Sequence, residues 1–431
     1  MSDQTEIVLQ NVATLAEWQF GLVSERSLIE DAKSFTPFKK EISRVAFNKK
    51  DPYAVDAIYF SGENPFIHFK QLHTFDTNYV KKLHRKIWNE GRTPLLGIIT
   101  PQEIRLYDCF DMPVDDNQSL SKIERGSYST TQNDLKRLGA ILHQSRIDSG
   151  IIWNEELGKS IKTANKVDRK LVDNLSETRK ILFEEYGFPL SVIHDLLGRS
   201  LFTLYLEDRG ILNHDNYPDD VEDFFTLLDN PENTINLFHD LKVKFNGDLF
   251  PVTEEEELLV KKNSQCLTLI KNCFSGKLDI LTGQLRLWRI FQFQYIPIEL
   301  ISSIYEEFMS EEDENHRKIR KDGAFYTPQM LVEFSLNEVL PWPDENNNRY
   351  DLKILDPACG SGIFLVESYK RLIARWKYNH PNTDIDELVL GNLLLNNIFG
   401  IEKDPEAIKV TAFSLYLTFL NYLFMLRSFK Y

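Results

Sequence analysis

The stretch ILDPACGSGIFLVE, beginning at Ile354, restricts the fold more than any other part of the 431-residue chain. Ile354 and Leu355 predict a buried strand. Gly360 and Gly362 predict a tight turn that uses positive φ and leaves room for close backbone approach, which a Cβ would hinder. The residues from about Gly362 onward predict a helix whose first N–H groups point at whatever lies above the strand end. No Lys-Ser/Thr follows the glycines, which excludes a Walker loop. Nor is the spacing the Gly-x-Gly-x-x-Gly of dinucleotide sites.

A second unit follows in IFGIEKDPEAIKVTAF. Ile398 to Ile401 predicts another strand, ending at Glu402. Asp404 suits the cap of the next helix, with Pro405 at its first position. In doubly wound sheets an acid at the end of the second strand accepts hydrogen bonds from ribose hydroxyls. A plain helix cap explains Asp404 but leaves Glu402 without a role. The uncharged run Val410–Leu426 mimics a membrane span. It is short for one and holds Thr411, Ser414, Thr418 and Asn421, so it predicts a helix of a soluble protein packed on both sides. Its second face is expected to lack part of its cover.

The remainder divides into two further regions. In the first, AVDAIYF and NPFIHFK predict neighbouring strands around a turn at Ser61–Asn64, and PLLGIITPQEIRLYDCF predicts a hairpin. DTNYVKKLHRKIWNEG predicts a helix capped by Asp76 and ended by Gly91. From about residue 150 to 315 the apolar spacing is helical, as in LVDNLSETRKILFEEYG, SVIHDLLGRSLFTLYLEDRG and IELISSIYEEFM. Thr253 and the four glutamates after it predict a capped, acidic first helical turn. SEEDENHRKIRKDG reads as an exposed loop. The expected domains are therefore an α/β domain at 1–148, a helical connector at 149–317 and a second α/β domain from 318.

Charge narrows the partners. Lysine and arginine number 50 against 65 acids, a formal net charge of −15. The chain as a whole is not an electrostatic glove for nucleic acid, so DNA contact needs local basic patches or a separate part. KKLHRK and HRKIRK read as solvated faces. The four cysteines share no metal spacing, and the start lacks a basic region followed by an apolar run. Both features place the expected location in a reducing cytoplasm, with no membrane partner.

Taken together, the two cofactor-loop units resemble motifs I and II of the S-adenosylmethionine-dependent DNA methyltransferases that act on the exocyclic amine of adenine. GAFYTPQMLVEFSLNEVL, from Gly323, resembles the segment before motif I in the gamma-class order. The resemblance implies that Tyr326, Thr327 and Pro328 border the methionine end of the cofactor. It also implies that Asp356, Ala358, Gly360 and Gly362 form its loop, and that Glu402 holds the ribose. Upstream, LLGRSLFTLYLEDRGIL, KFNGDLFP and LWRIFQFQYIPIELISSIYEEF resemble the helical connector of large fused restriction–modification enzymes of type IIG kind. LHRKIWNEGRTPLLGIITPQEIRLYDCF resembles their N-terminal region.

That resemblance sets two further expectations. The family's catalytic Asn/Asp-Pro-Pro-aromatic tetrapeptide does not occur in this sequence. The methyltransferase domain is thus expected to be a truncated start, inactive alone, with a missing C-terminal half or partner chain supplying the rest and the recognition of DNA. Enzymes of this kind often begin with a Mg²⁺-dependent nuclease, with an Asp on one strand and Asp/Glu-x-Lys on the next. Here Asp56 and Lys70 fit, but His68 stands where a carboxylate belongs, and hard Mg²⁺ prefers oxygen. A degenerate nuclease-like domain is the expectation. Two other readings stay open: a non-catalytic DNA- or cofactor-binding subunit of a defence system, and an active nuclease through Asp56 and Lys70.

Overall fold

The computed structural model describes residues 2–18, 21–30, 35, 37–212, 216–219, 221–244, 252–278, 280, 283, 285–286, 288–297, 300–301, 303–304, 327 and 329–428. Two compact units emerge: Met1–Lys170 with Leu285–Ile296, and Leu171–Gln284 with Pro297–Tyr431.

The first unit is built on a six-stranded sheet in sequential order: β1 (Leu22–Ser24), β2 (Ala57–Ser61), β3 (Asn64–Gln71), β4 (Leu95–Ile99), β5 (Glu103–Asp108) and β6 (Glu124–Ser129). All neighbours are antiparallel except β3 and β4, which are parallel. That parallel pair needs a crossover, because a tight turn can only reverse direction. Between them runs a helix, Thr77–Glu90. Asp76 caps it by accepting from the N–H groups of Asn78 and Tyr79, and Gly91 ends it at φ 66°. Alternation along β2 divides the core. Ala57 and Tyr59 join one apolar cluster with Val8, Leu9 and Val12, while Ile58 and Phe60 join another with Val80, Leu83 and Ile87. Both sheet faces are therefore covered, one of them by Ser2–Leu15 and the other by Thr77–Glu90. The hairpins β2–β3 and β4–β5 and the capped helix stand where the sequence predicts them.

Residues 285–296 return to this unit. Phe291 stacks on Trp88 with ring centroids 5.9 Å apart. The Asn89 side chain donates to Ile290 O at 3.0 Å and accepts from Gln292 N–H at 2.8 Å.

In the second unit the helices used below are α1 (Val167–Glu184), α2 (Leu190–Asp208), α3 (Pro231–Lys244), α4 (Glu254–Lys262), α5 (Gln265–Ser275), α6 (Gln329–Val339), α7 (Ile363–Asn379), α8 (Glu387–Asn397) and α9 (Pro405–Ser428). The first of these begins at the boundary between units. The capped acidic turn is present: Thr253 Oγ1 accepts from Glu256 N–H. IELISSIYEEFM lies only partly within the described residues, and the charged loop from Ser310 lies outside them. Two short strands, β7 (Ile354–Asp356) and β8 (Ile398–Gly400), pair in parallel, with Leu355 opposite Phe399.

One expectation is corrected here. The described part of the apolar run within α9, up to Leu423, does not lack cover. From Val410 to Leu423 its large apolar side chains are buried or half-buried. The helix packs against α7 and α8, and α2 adds to the cover: Phe202 meets Phe413 and Tyr416 at 5.9 and 6.0 Å, and Lys409 pairs with Asp195 at 2.9 Å. Arg209 also donates to Asn421 Oδ1 at 2.8 Å. The expected burial of the first strand is corrected as well: Leu355 and its neighbour Phe399 on the two short strands are 58% and 41% exposed.

Candidate functional site: a glycine loop at the end of two parallel strands

The loop after β7 is folded by its own short-range bonds. Asp356 Oδ1 accepts from Ala358 N–H at 3.1 Å. The Cys359 N–H donates to Ile401 O at 3.0 Å, and the Ile401 N–H donates to Asp356 O at 2.9 Å. These bonds seat the loop on the end of β8. Gly360 and Gly362 both have positive φ, 53° and 81°. Their surroundings differ. Among the described residues, chain neighbours aside, nothing lies within 4 Å of a Cβ placed on Gly360, whereas one on Gly362 would meet Thr411 Cγ2 at 2.7 Å. Gly362 is the N-cap of α7. Its lack of a side chain serves helix packing, while that of Gly360 leaves open space beside the loop.

Glu402 closes the far side. Its Oε2 accepts from the Gly360 N–H at 2.9 Å. Its Oε1 accepts from Lys403 N–H at 2.7 Å and Asp404 N–H at 3.1 Å. The Asp404 N–H, followed by those of Gly360 and Lys403, holds the carboxyl below its ordinary range against a smaller opposing effect of burial. The group is therefore a fixed carboxylate at neutral pH. A carboxylate offers about four acceptor positions, and three are used by backbone. One remains, on Oε2, instead of the two that ribose pairing through both hydroxyls would need. Open space over Gly360 and a fixed anion with one spare acceptor fit a ribose-bearing ligand.

Of the residues expected at this site, Asp356, Ala358, Gly360, Gly362 and Glu402 share the loop and the adjoining strand ends. Thr327 is half-buried, while Tyr326 and Pro328 lie outside the described residues. Sequence reasoning missed Thr411. Its Oγ1 donates to Gly360 O at 2.6 Å and lies 3.9 Å from Cys359 Sγ. A threonine inside an apolar helix carries no local signal of that contact, which joins residues 51 positions apart.

In the first unit, Asp56 and Lys70 do meet. Lys70 Nζ stands 3.2 Å from Asp56 Oδ1 and donates to Ala54 O at 2.8 Å, while the Gln71 N–H donates to Asp56 Oδ2 at 2.7 Å. His68 is 1% exposed, and neither ring nitrogen has a hydrogen-bond partner. Its Nδ1 is 3.8 Å from Glu90 Oε2. Burial keeps the imidazole neutral, with a pKa lowered to about 3, and pushes the Glu90 carboxyl up to about 7. Among the described residues no group of three or more His, Cys, Asp or Glu side chains could hold a metal ion.

Glu90 gives a pH test of this core. Its folded pKa lies above the unfolded value, so the folded state binds the extra proton between about pH 4.5 and 7, and its ionisation opposes folding above that window. Glu90→Gln should stabilise the first unit at pH 8, and the gain should disappear by about pH 4.5. Urea unfolding at both pH values checks this. A gain that grows on acidification would show that burial does not govern Glu90.

Comparison with known proteins agrees with the loop. The family described as N-6 DNA Methylase matches residues 297–425. The chain is 21% identical to the Escherichia coli "Type II restriction enzyme and methyltransferase RM.Eco57I", over 73% of this chain and 34% of that protein. It is 28% identical to the Methanocaldococcus jannaschii "Type I restriction enzyme MjaVII methylase subunit", over 44% of this chain and 28% of that one. The chain thus spans about a third or less of the length of these relatives. A cryo-EM structure of a DrdV–DNA complex aligns with 96% of this chain and 39% of its own, at 11% identity and a TM-score of 0.33, too low to carry an argument about fold. Among the described residues no helix is long and apolar enough to cross a membrane. The family match over residues 297–425 implies S-adenosylmethionine as cofactor, and beyond that segment the chain is similar to restriction enzymes fused to methyltransferases.

Proposed function

We propose that this chain holds S-adenosylmethionine over the Gly360 loop and supplies the cofactor side of an enzyme that methylates adenine N6 in DNA. The observation that carries the reading is the pairing of an open glycine loop with the fixed carboxylate of Glu402. Asp356 shapes the loop, Ala358 lies exposed along it, and Glu402 offers an acceptor to a ribose hydroxyl. Tyr326, Thr327 and Pro328 are the proposed border of the methionine end. When bound, the cofactor supplies an electrophilic methyl group.

Transfer also needs a group to hold the adenine amine, and in this family that is the Asn/Asp-Pro-Pro-aromatic tetrapeptide. None of the 431 residues forms one. The adenine pocket and the reading of DNA are therefore proposed to come from a further segment or partner chain. Exposed Leu355 and Phe399 give such a segment an apolar seat. The first unit is proposed to be a degenerate nuclease-like domain that does not cleave. Lys70 pairs with Asp56, the carboxylate expected to hold Mg²⁺, and His68 is turned into the core.

The expected outcome is measurable S-adenosylmethionine binding by calorimetry, with no labelled methyl reaching DNA and no Mg²⁺-dependent nicking of plasmid. Absence of binding would sink the cofactor reading. Methyl transfer by the chain alone would overturn the need for a further segment. Metal-dependent cleavage lost in Asp56→Ala would restore the nuclease reading.

A further inference from the structure

Gly360 is the residue of the loop whose backbone is bonded on both sides by side chains far from it in sequence. Its N–H donates to Glu402 Oε2 at 2.9 Å, and its C=O accepts from Thr411 Oγ1 at 2.6 Å. The two side chains have different sources. Glu402 follows β8, and Thr411 lies on α9, 6% exposed. Thr411 also fills the space beneath Gly362, the next glycine of the loop. Loop height above the strand end is thus set from two elements, neither of which belongs to the glycine motif.

We infer that the Gly360 peptide is clamped by Glu402 and Thr411, that Thr411 is a positioning residue for the cofactor loop, and that the clamp leaves Glu402 one acceptor for a single ribose hydroxyl. The inference rests on the S-adenosylmethionine reading above for its ligand and on the two hydrogen bonds for its geometry. A glycine at positive φ has the widest conformational freedom in the chain. Without the clamp the loop would spend part of its time out of the receiving shape, and apparent affinity falls by the fraction lost. With the clamp, the Glu402 carboxylate is fixed before the ligand arrives. The cost is discrimination. A carboxylate with one spare acceptor rewards one hydroxyl of the ribose and ignores the other.

The test uses the full chain with Thr411→Val, which keeps the shape and removes the hydroxyl, and Thr411→Ser, which keeps the hydroxyl. Two quantities are measured. One is amide hydrogen exchange in the peptide covering residues 356–364, without ligand. The other is calorimetric affinity for S-adenosylhomocysteine and for its 2′-deoxy and 3′-deoxy forms. In Thr411→Val, exchange should quicken by roughly fivefold and affinity should fall by about three- to tenfold, the range for one neutral hydrogen bond. Thr411→Ser should stay within about twofold of the parent in both. One deoxy form should bind parent protein at least about tenfold more weakly, as for a hydrogen bond to a charged acceptor, and the other should bind nearly as well as the ribose form. Unchanged exchange in Thr411→Val, or a loss in Thr411→Ser as large as in Thr411→Val, overturns the clamp. Faster exchange with unchanged affinity overturns the positioning role. Equal losses with both deoxy forms overturn the single acceptor. If the parent binds no S-adenosylhomocysteine, the cofactor reading falls alone, because the exchange arm still tests the clamp.

Discussion

Gly360→Val should remove S-adenosylmethionine binding to below detection while leaving the chain folded. The reason is the asymmetry between the two loop glycines. At φ 53° an L-residue carries strain of roughly 1–2 kcal/mol, more for a β-branched one. That cost is tolerable in a domain stable by ~5–15 kcal/mol. Among the described residues, chain neighbours aside, no atom lies within 4 Å of the new Cβ. The valine therefore projects into the space proposed for the ligand. Gly362→Val carries similar strain at φ 81° but drives its Cβ to within 2.7 Å of Thr411 Cγ2, in a buried position at the start of α7. It should lose stability as well as binding. The pair separates a hole kept for a ligand from a hole kept for a helix. Thermal unfolding ranks the variants and calorimetry reads the binding. Binding retained by Gly360→Val would place the ligand elsewhere.

The second large effect is on stability. Arg199 on α2 reaches Glu256 at the start of α4 through two hydrogen bonds, 2.5 Å from Nη1 to Oε1 and 3.2 Å from Nη2 to Oε2. The side chains are 3% and 1% exposed. The guanidinium also lies 4.7 Å from the centre of the Phe238 ring, on α3. Burial raises the Glu256 carboxyl above its usual range even with Arg199 opposing it. Arg199→Ala should therefore cost about 3–5 kcal/mol, the usual result of leaving a buried charge unpaired. Because the lone Glu256 is then easiest to bury in its neutral form, the deficit should be larger at pH 8 than at pH 5. Replacing both residues, as Arg199→Met with Glu256→Leu, should recover most of the loss, since an apolar pair of similar volume removes both desolvation costs. Urea unfolding of the parent, Arg199→Ala and the double variant makes the comparison. A double variant as weak as Arg199→Ala would mean that the pair itself, rather than its uncompensated half, carries the stability.

What the sequence disclosed was mostly local. Asp76, Gly91 and Thr253 mark helix ends because a cap is decided by bonds within three or four residues. The hairpins β2–β3 and β4–β5 follow from alternating runs and short turns. The strand–glycine–helix unit at Ile354 and the acid at Glu402 were legible for the same reason. The expected cover of α9 was wrong because it depends on a partner 214 positions away, as in the Lys409–Asp195 pair. The Thr411 hydroxyl and the Gly360 amide that occupies Glu402 Oε2 were hidden in the same manner. Neither has a pattern along the chain, and both arise when the parallel strands bring the loop beside Glu402 and the start of α9.

The return of residues 285–296 to the first unit governs when that unit can be finished. On a ribosome, Trp88 and Asn89 emerge long before Phe291, Ile290 and Gln292, their eventual partners. Throughout the synthesis of more than a hundred intervening residues, an indole face and a side-chain amide stay unsealed. A gene fragment that stops at residue 170 would make that interim state permanent. Such a piece should bind hydrophobic dyes and precipitate more readily than one in which the distant strip is rejoined by a short linker. For this chain, useful cut points follow the order in which contacts close and not the order in which domains are named.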